Sequence, residues 1–263
     1  MQSVRSETKM AIKNFESWVA FPRPKYQARL RLFCFPYAGG GTLIYHPWAD
    51  KLPLDVEICS VQLPGRENRL REKPFTRLTS LVETLAGVLK PYIKMPFAFF
   101  GHSVGALISF ELAREIRRQN CFGPIHLFVS GRRAPQLPDP DPPIHRLPEA
   151  AFVDELKRLN GTPDAVLQNS ELMELFLPVL RADFAILETY DYVPEVPLNC
   201  SITAFGGFHD FKANAKELAV WRDQTSGNFT LEMFPGGHFF FQKSKSLFLE
   251  KMSQDLTTSL GRI

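Results

Sequence analysis

Cysteine is scarce in this chain of 263 residues, with four copies at Cys34, Cys59, Cys121 and Cys200. They lie far apart in sequence and form no C-x-x-C pair, and no H-E-x-x-H occurs, so no zinc site built from protein ligands is expected. Cys34, Cys59 and Cys200 sit in or beside apolar runs, and the four read as buried free thiols of a reducing compartment. Charge of one sign is also lacking. A net charge of +3 with the signs interspersed argues against a dedicated nucleic-acid binder. The densest basic stretch, Arg66 to Arg71, is interrupted by Glu67 and reads as a solvated loop. No uninterrupted apolar run is long enough to span a bilayer. The opening "MQSVRSETKMAIKNFESW" carries charges throughout and has no apolar core, so no secretory signal is read there and the cytoplasm is expected. Neither G-x-x-x-x-G-K-[ST] nor G-x-G-x-x-G is present, which weighs against a phosphate cradle at the glycine run Gly39–Gly41. Internal repeats and low-complexity tails are absent too.

What is present is the pattern of an α/β protein. Short apolar runs at Leu30–Phe35, Val56–Leu63, Phe97–Gly101, Ile125–Ser130, Cys200–Phe205 and Phe229–Phe234 read as strands. Longer segments of helical period separate them, as expected for a parallel sheet covered on both faces. Leu78, Leu81, Val82, Leu85, Val88, Leu89 and Tyr92 recur at three- and four-residue steps and define one helix face. A second helix follows Ser103, and a third is expected over Leu247–Leu260. The alternation breaks after the fourth strand, where "RRAPQLPDPDPPIHRLP" is too rich in proline for a regular element. The region from Glu149 to Tyr192 then has helical patterning and no strand, and Pro163 and Pro178 are expected to divide it into short helices. Because strands resume at Cys200, residues 138–192 read as a helical insertion into a core formed by 1–137 and 193–263.

Ser103 stands at the joint between the third apolar run and a helix, in F-G-H-S-V-G-A. Glycines on either side of a serine allow a sharp strand-to-helix turn that exposes the hydroxyl. A serine hydroxyl is a weak nucleophile at neutral pH, so it needs a base, and the base needs a third group to fix its tautomer. On such a sheet these partners are expected after later strands, acid first and histidine second. His238, in "FPGGHFFF", has that position. His102 would point away from Ser103, His46, His126 and His145 come too early, and His209 is the remaining competitor. Asp210 is the first carboxylate after the fifth strand and the preferred acid. Glu217 and Asp223 fall in the following helix and read as a solvated face. Backbone N–H groups must also await the oxyanion; Val104, just after the serine, and Ala38, at the head of the glycine run, are the candidates.

These residues, together with "FCFPYAGGG" (33–41), "LPGRENR" (63–69), "LFVSGRRAP" (127–135), "LPVLRADF" (177–184) and "WRDQT" (221–225), make the chain resemble the type II, or external, thioesterases. That family has the α/β-hydrolase fold, a mostly parallel central sheet with flanking helices and an inserted helical lid. It accompanies nonribosomal peptide and polyketide synthases, and one branch releases medium-chain acids from fatty acid synthase. The resemblance implies a cytoplasmic monomer that hydrolyses acyl or aminoacyl thioesters on the phosphopantetheine arms of carrier-protein domains. It implies no cofactor of the enzyme's own and no nucleic-acid or membrane partner. Ser103, His238 and Asp210 match the family's nucleophile, base and acid, Ala38 and Val104 its oxyanion-hole residues, and the insertion its lid. Two positions depart from the pattern: Val104 stands where methionine is frequent, and His209 where Asp or Thr precedes the acid. The first leaves the N–H unchanged.

Three other readings share these features: a lipase-like carboxylesterase or acyl-CoA hydrolase, a non-catalytic carrier-protein adaptor, and acyl transfer to an alcohol or amine. The insertion is richer in apolar residues than its own packing needs, so part of its inner face is expected to line an acyl pocket above Ser103. Phe176 and Leu177 are the residues proposed from sequence for that wall.

Overall fold

Parallel strands buried on both faces need apolar residues at consecutive positions, and these strands have them. A computed structural model describes residues 18–159 and 161–262; the amino-terminal stretch read as lacking a signal lies outside them except for Trp18. Seven strands form one sheet: β1 (Val19–Ala20), β2 (Leu30–Phe35), β3 (Val56–Val61), β4 (Phe97–His102), β5 (His126–Ser130), β6 (Ser201–Gly207) and β7 (Phe229–Phe234). Their order is β1-β3-β2-β4-β5-β6-β7, with every neighbouring pair parallel except β1 and β3.

The two faces of the sheet divide alternate residues between two cores. Phe33, Phe35, Phe97, Phe99, Leu127 and Val129 face α1 (Leu78–Leu89) and α2 (Val104–Arg118). Leu32, Cys34, Ala98, Phe100 and Phe128 pack on the other side with Tyr45 and Trp48. Phe248, Met252 and Leu256, from the last helix, Lys245–Leu260, complete that second core. The helix face read from sequence is the buried one, since Leu78, Leu81, Val82, Leu85 and Leu89 are all in the core.

Between β5 and β6 run α3 (Glu149–Leu159), α4 (Asp164–Leu167) and α5 (Ser170–Glu188). They have a small apolar cluster of their own, built on Phe152, Leu156, Met173, Leu177 and Leu180. Pro178 does not divide this region, because α5 runs straight through it. The proline sits on the exposed side of the helix, as does Glu174, whose carbonyl its missing N–H leaves free. Pro163 does mark a start: its carbonyl accepts the N–H groups of Val166 and Leu167 in α4.

The remaining differences from expectation are local. β3 ends at Val61, two residues short of the expected Leu63; the Gln62 N–H still bonds Trp18 O (2.8 Å), and the chain then bends at Gly65, φ +85°. The two-residue edge strand β1 gave no periodic signal. Cys34, Cys59 and Cys200 are buried free thiols, whereas Cys121 is half-exposed. Among the described residues, no helix is long and apolar enough to cross a membrane.

Candidate active site

Ser103 takes φ 55° and ψ −116°, a backbone conformation that ordinary side chains adopt rarely and only where the surroundings enforce it. Its N–H donates to Ser130 O (2.8 Å) on the next strand, which helps hold the joint. The flanking glycines are required by contact. A Cβ on Gly101 would lie 2.1 Å from Gly105 O, and one on Gly105 would lie 2.3 Å from Phe35 O. Strand and helix therefore cross backbone to backbone, and the serine is lifted to the carboxyl edge of the sheet. Val104 opens α2, so its N–H has no acceptor within the helix and points out of the positive end.

The loops after β6 and β7 carry Asp210 and His238. A Cβ on Gly207 would meet Gly237 O at 2.3 Å, so the two loops touch through their main chains. His209 N–H donates to Gly236 O (2.9 Å), and Gly236 has φ +123°, which suits glycine. The close approach brings His238 Nδ1 to 2.9 Å from Asp210 Oδ2. The other oxygen, Asp210 Oδ1, accepts the Lys212 N–H at 2.8 Å. The Asp210 carboxylate is fully buried, while the His238 side chain keeps 14% of its surface open. Such a carboxylate holds the imidazole with Nδ1 protonated and leaves Nε2 as the basic atom.

His102 lies beneath this pair. Its ring centroid is 4.8 Å from that of His238, and its Nδ1 is 2.9 Å from Ser130 Oγ. Burial, and then the neighbouring His238, hold its pKa well below the usual histidine value, so it stays neutral. The other histidines are elsewhere: His209 and His46 are exposed, His126 is buried in the sheet, and His145 pairs with Glu188. Asp223 is exposed, and Glu217 pairs with Arg133 (3.1 Å) while capping its own helix with Asn214.

Ser103, His238 and Ala38 line one cavity of about 580 Å³ together with Tyr37 and Phe239. The insertion supplies Leu156, Leu159, Leu180, Phe184 and Leu187 to its wall. Charged wall residues are paired: Arg132 with Asp139 (3.3 Å), Lys212 with Asp141, Arg158 with Glu155 (2.7 Å), and Glu188 with His145. What remains for a guest is largely apolar surface around one serine and one imidazole, as in pockets for small organic groups.

Two expectations are corrected. Phe176 and Leu177 do not line this cavity; they pack within the insertion's own cluster, one turn too early on α5, and Leu180 and Phe184 hold the wall positions. The loop Arg66–Arg71 is not simply solvated either. Arg66 and Arg69 are each only 4% exposed. Arg69 stacks its guanidinium 3.8 Å from the Trp18 ring and bonds Gln62 O (2.8 Å), and Arg66 pairs with Asp183 on α5. Charge spacing alone reads as surface, because the partners that bury these arginines lie elsewhere in the chain.

A parallel sheet whose order reverses beside β2, with a strained serine after β4 and an acid–histidine pair after β6 and β7, is the architecture of an α/β-hydrolase. The chain belongs to the thioesterase domain family, whose model matches residues 30–256. It is 48% identical over 250 residues to the gramicidin S biosynthesis protein GrsT of Aneurinibacillus migulanus, covering 95% of this chain and 98% of that one. The human medium-chain S-acyl fatty acid synthase thioesterase is 34% identical over 223 residues, covering 81% and 82%. Among solved structures, the type II thioesterase BorB of the borrelidin biosynthetic cluster superposes with TM-score 0.84 at 35% identity, covering 93% and 98% of the two chains.

Proposed function

We propose that this thioesterase hydrolyses acyl or aminoacyl groups from the phosphopantetheine arms of carrier-protein domains, with Ser103, His238 and Asp210 as its triad. The observation that carries the reading is the strained Ser103 opening on the same apolar cavity as the Asp210-held imidazole. Relatives named for gramicidin S and borrelidin biosynthesis support the carrier-bound substrate class.

In the reaction proposed, Ser103 Oγ attacks the thioester carbonyl carbon while its proton passes to His238 Nε2. Negative charge builds on the carbonyl oxygen, facing the N–H groups of Ala38 and Val104. Collapse breaks the C–S bond, and the imidazolium returns its proton to the departing pantetheine thiolate. Water, deprotonated by the same imidazole, then attacks the acyl-serine carbonyl; the C–Oγ bond breaks, the imidazolium returns the proton to Ser103 Oγ, and the acid is released. Asp210 stays ionised and stabilises the transient imidazolium. The reaction calls on no cofactor beyond the arm that the substrate brings, and residues 138–192 act as the lid over the acyl group.

The test is Ser103→Ala assayed on acylated carrier protein. Loss of several powers of ten in kcat with an unchanged thermal midpoint is expected. Retention of a tenth of the activity would rule out the mechanism. Carrier-bound substrate is also expected to show a higher kcat/KM than the same acyl group on coenzyme A, because contacts remote from the thioester supply binding energy. Equal values would instead make the protein a general acyl-thioesterase.

A further inference from the structure

A loop that aims an N–H at a developing oxyanion has to be rigid, yet the one after β2 is built from Gly39, Gly40 and Gly41, the most flexible of residues. Its rigidity comes from two distant segments. Gly39 N–H donates to Asp183 Oδ2 of α5 at 2.8 Å. Gly40 O accepts from Arg66 Nη1 at 3.0 Å, and Gly40 N–H closes a turn onto Tyr37 O at 2.8 Å. The guanidinium of Arg66 then closes on Asp183 in a fork, Nη2 to Oδ1 at 2.9 Å and Nη1 to Oδ2 at 3.1 Å. Glu67 fixes the far end of the loop through Thr42 Oγ1 (2.7 Å) and Leu43 N–H (3.3 Å).

The pair is shut away from water, with 5% and 2% of the two side chains exposed. A buried ion pair is poor evidence of a stabilising device, since two apolar side chains of like volume often serve stability as well or better. Its placement points to another use. Asp183 bonds the peptide next to Ala38, and Leu180, one turn earlier on α5, approaches so closely that a Cβ on Gly39 would lie 2.7 Å from Leu180 Cδ2. α5 also carries Phe184 on the cavity wall. One helix of the insertion therefore touches both the acyl cavity and the oxyanion loop. A lone carboxylate at that loop would oppose negative charge on the substrate, and the Arg66 guanidinium removes that opposition.

We infer that Asp183 and Arg66 are positioning residues that aim the Ala38 N–H at the oxyanion and make its aim depend on how α5 is docked. The inference rests on the reading of Ser103 and Ala38 given above. It predicts that loss of the pair weakens stabilisation of the transition state and leaves ground-state binding nearly intact.

The decisive variant is Arg66→Met/Asp183→Leu, which replaces both charges by apolar groups and leaves neither unpaired. The expected result is kcat lower by about tenfold or more and KM changed by less than about threefold, per folded protein; the thermal midpoint falls as well, because Gly39 N–H and Gly40 O lose their partners. Affinity for an acyl trifluoromethyl ketone, which forms a tetrahedral oxyanion on the serine, should weaken by the same factor as kcat/KM. Should the double variant not fold, Asp183→Asn, of equal volume, is read in the same assays; its thermal midpoint falls because Arg66 keeps a buried charge without its carboxylate, and the same changes in kcat and ketone affinity per folded protein are expected. Wild-type kcat, whatever the thermal midpoint, would overturn the inference and leave the pair no role in aiming the N–H. So would a fall in kcat with unchanged ketone affinity. Ser103→Ala separates the two readings: if it binds the ketone as tightly as wild type or still turns over, the site assignment itself fails, whatever Arg66 and Asp183 do.

Discussion

The carboxylate of Asp210 holds the imidazole of His238 from beneath, Oδ2 to Nδ1 at 2.9 Å, across the junction of two loops whose glycine backbones touch. Its second oxygen is occupied by the Lys212 N–H, so the carboxylate cannot swing away. Asp210→Asn should therefore lower kcat about a thousandfold or more, because an amide can donate to Nδ1 and favour the wrong tautomer. Asp223→Asn, at an exposed site, should leave kcat unchanged. Steady-state rates on one acyl-carrier substrate decide it, and a reversed pattern would transfer the role of acid to Asp223.

Gly105 gives a test of the serine's platform. An alanine there places Cβ 2.3 Å from Phe35 O and 2.7 Å from Pro36 O, both main-chain atoms that cannot step aside alone. Helix α2 must then move off the sheet. Gly105→Ala is expected to destabilise the fold by about 3 kcal/mol or more, the range of severe overpacking. Denaturant unfolding measures this directly. Gly87→Ala, where no atom lies within 4 Å of the added Cβ, is the control expected to be neutral or stabilising.

The sheet and the strand-to-helix turn at Ser103 were legible because their signals are local. Six of the seven strands appear as apolar runs, and G-x-S-x-G states its geometry within five residues. Asp210 and His238, which the structure brings together, could be singled out because each follows a recognisable strand. The Arg66–Asp183 pair could not, since 117 residues separate its members and nothing in either segment specifies the other. The cavity wall failed for a subtler reason. The apolar stripe of α5 continues from Phe176 through Leu180, Phe184 and Leu187, so periodicity finds the face but not the turn at which the cavity begins. Pro178 misled because exposure, which decides whether a helix tolerates proline, is itself a tertiary property.

His126 gives the pH dependence of stability. It is 6% exposed, stacks on Phe128 at 4.1 Å and is bonded to Ser259 Oγ and Thr203 Oγ1. Burial, with a smaller push from Arg262, lowers its pKa to about 4 from the usual 6.5. A depressed folded-state value means the unfolded chain binds the proton more readily, so stability is full above pH 6.5 and declines toward pH 4. The difference corresponds to a loss on the order of 3 kcal/mol. His102, shifted the same way, adds to the decline. His126→Gln is expected to flatten part of the slope in denaturant midpoints measured from pH 7 to pH 4. A slope identical to wild type would show that His126 does not titrate in that window.

The cavity wall makes the last prediction. Phe184 faces the space that holds Ser103 and meets Phe152 edge-on at 5.8 Å, so its ring has a fixed place at the wall. Removing it enlarges the cavity on the side of α5 without touching Asp210, His238 or the glycine loop. Phe184→Ala should shift preference toward longer or bulkier acyl chains by roughly 1–3 kcal/mol in relative kcat/KM, the range available to an apolar pocket. Phe176→Ala removes an equal volume from the insertion's own cluster. It should lower stability and slow every substrate alike, leaving the chain-length profile parallel to wild type. The comparison uses ratios between acyl chains within each variant, so any general loss of folded protein cancels. A parallel profile for Phe184→Ala, or a shifted one for Phe176→Ala, would move the acyl site away from this wall.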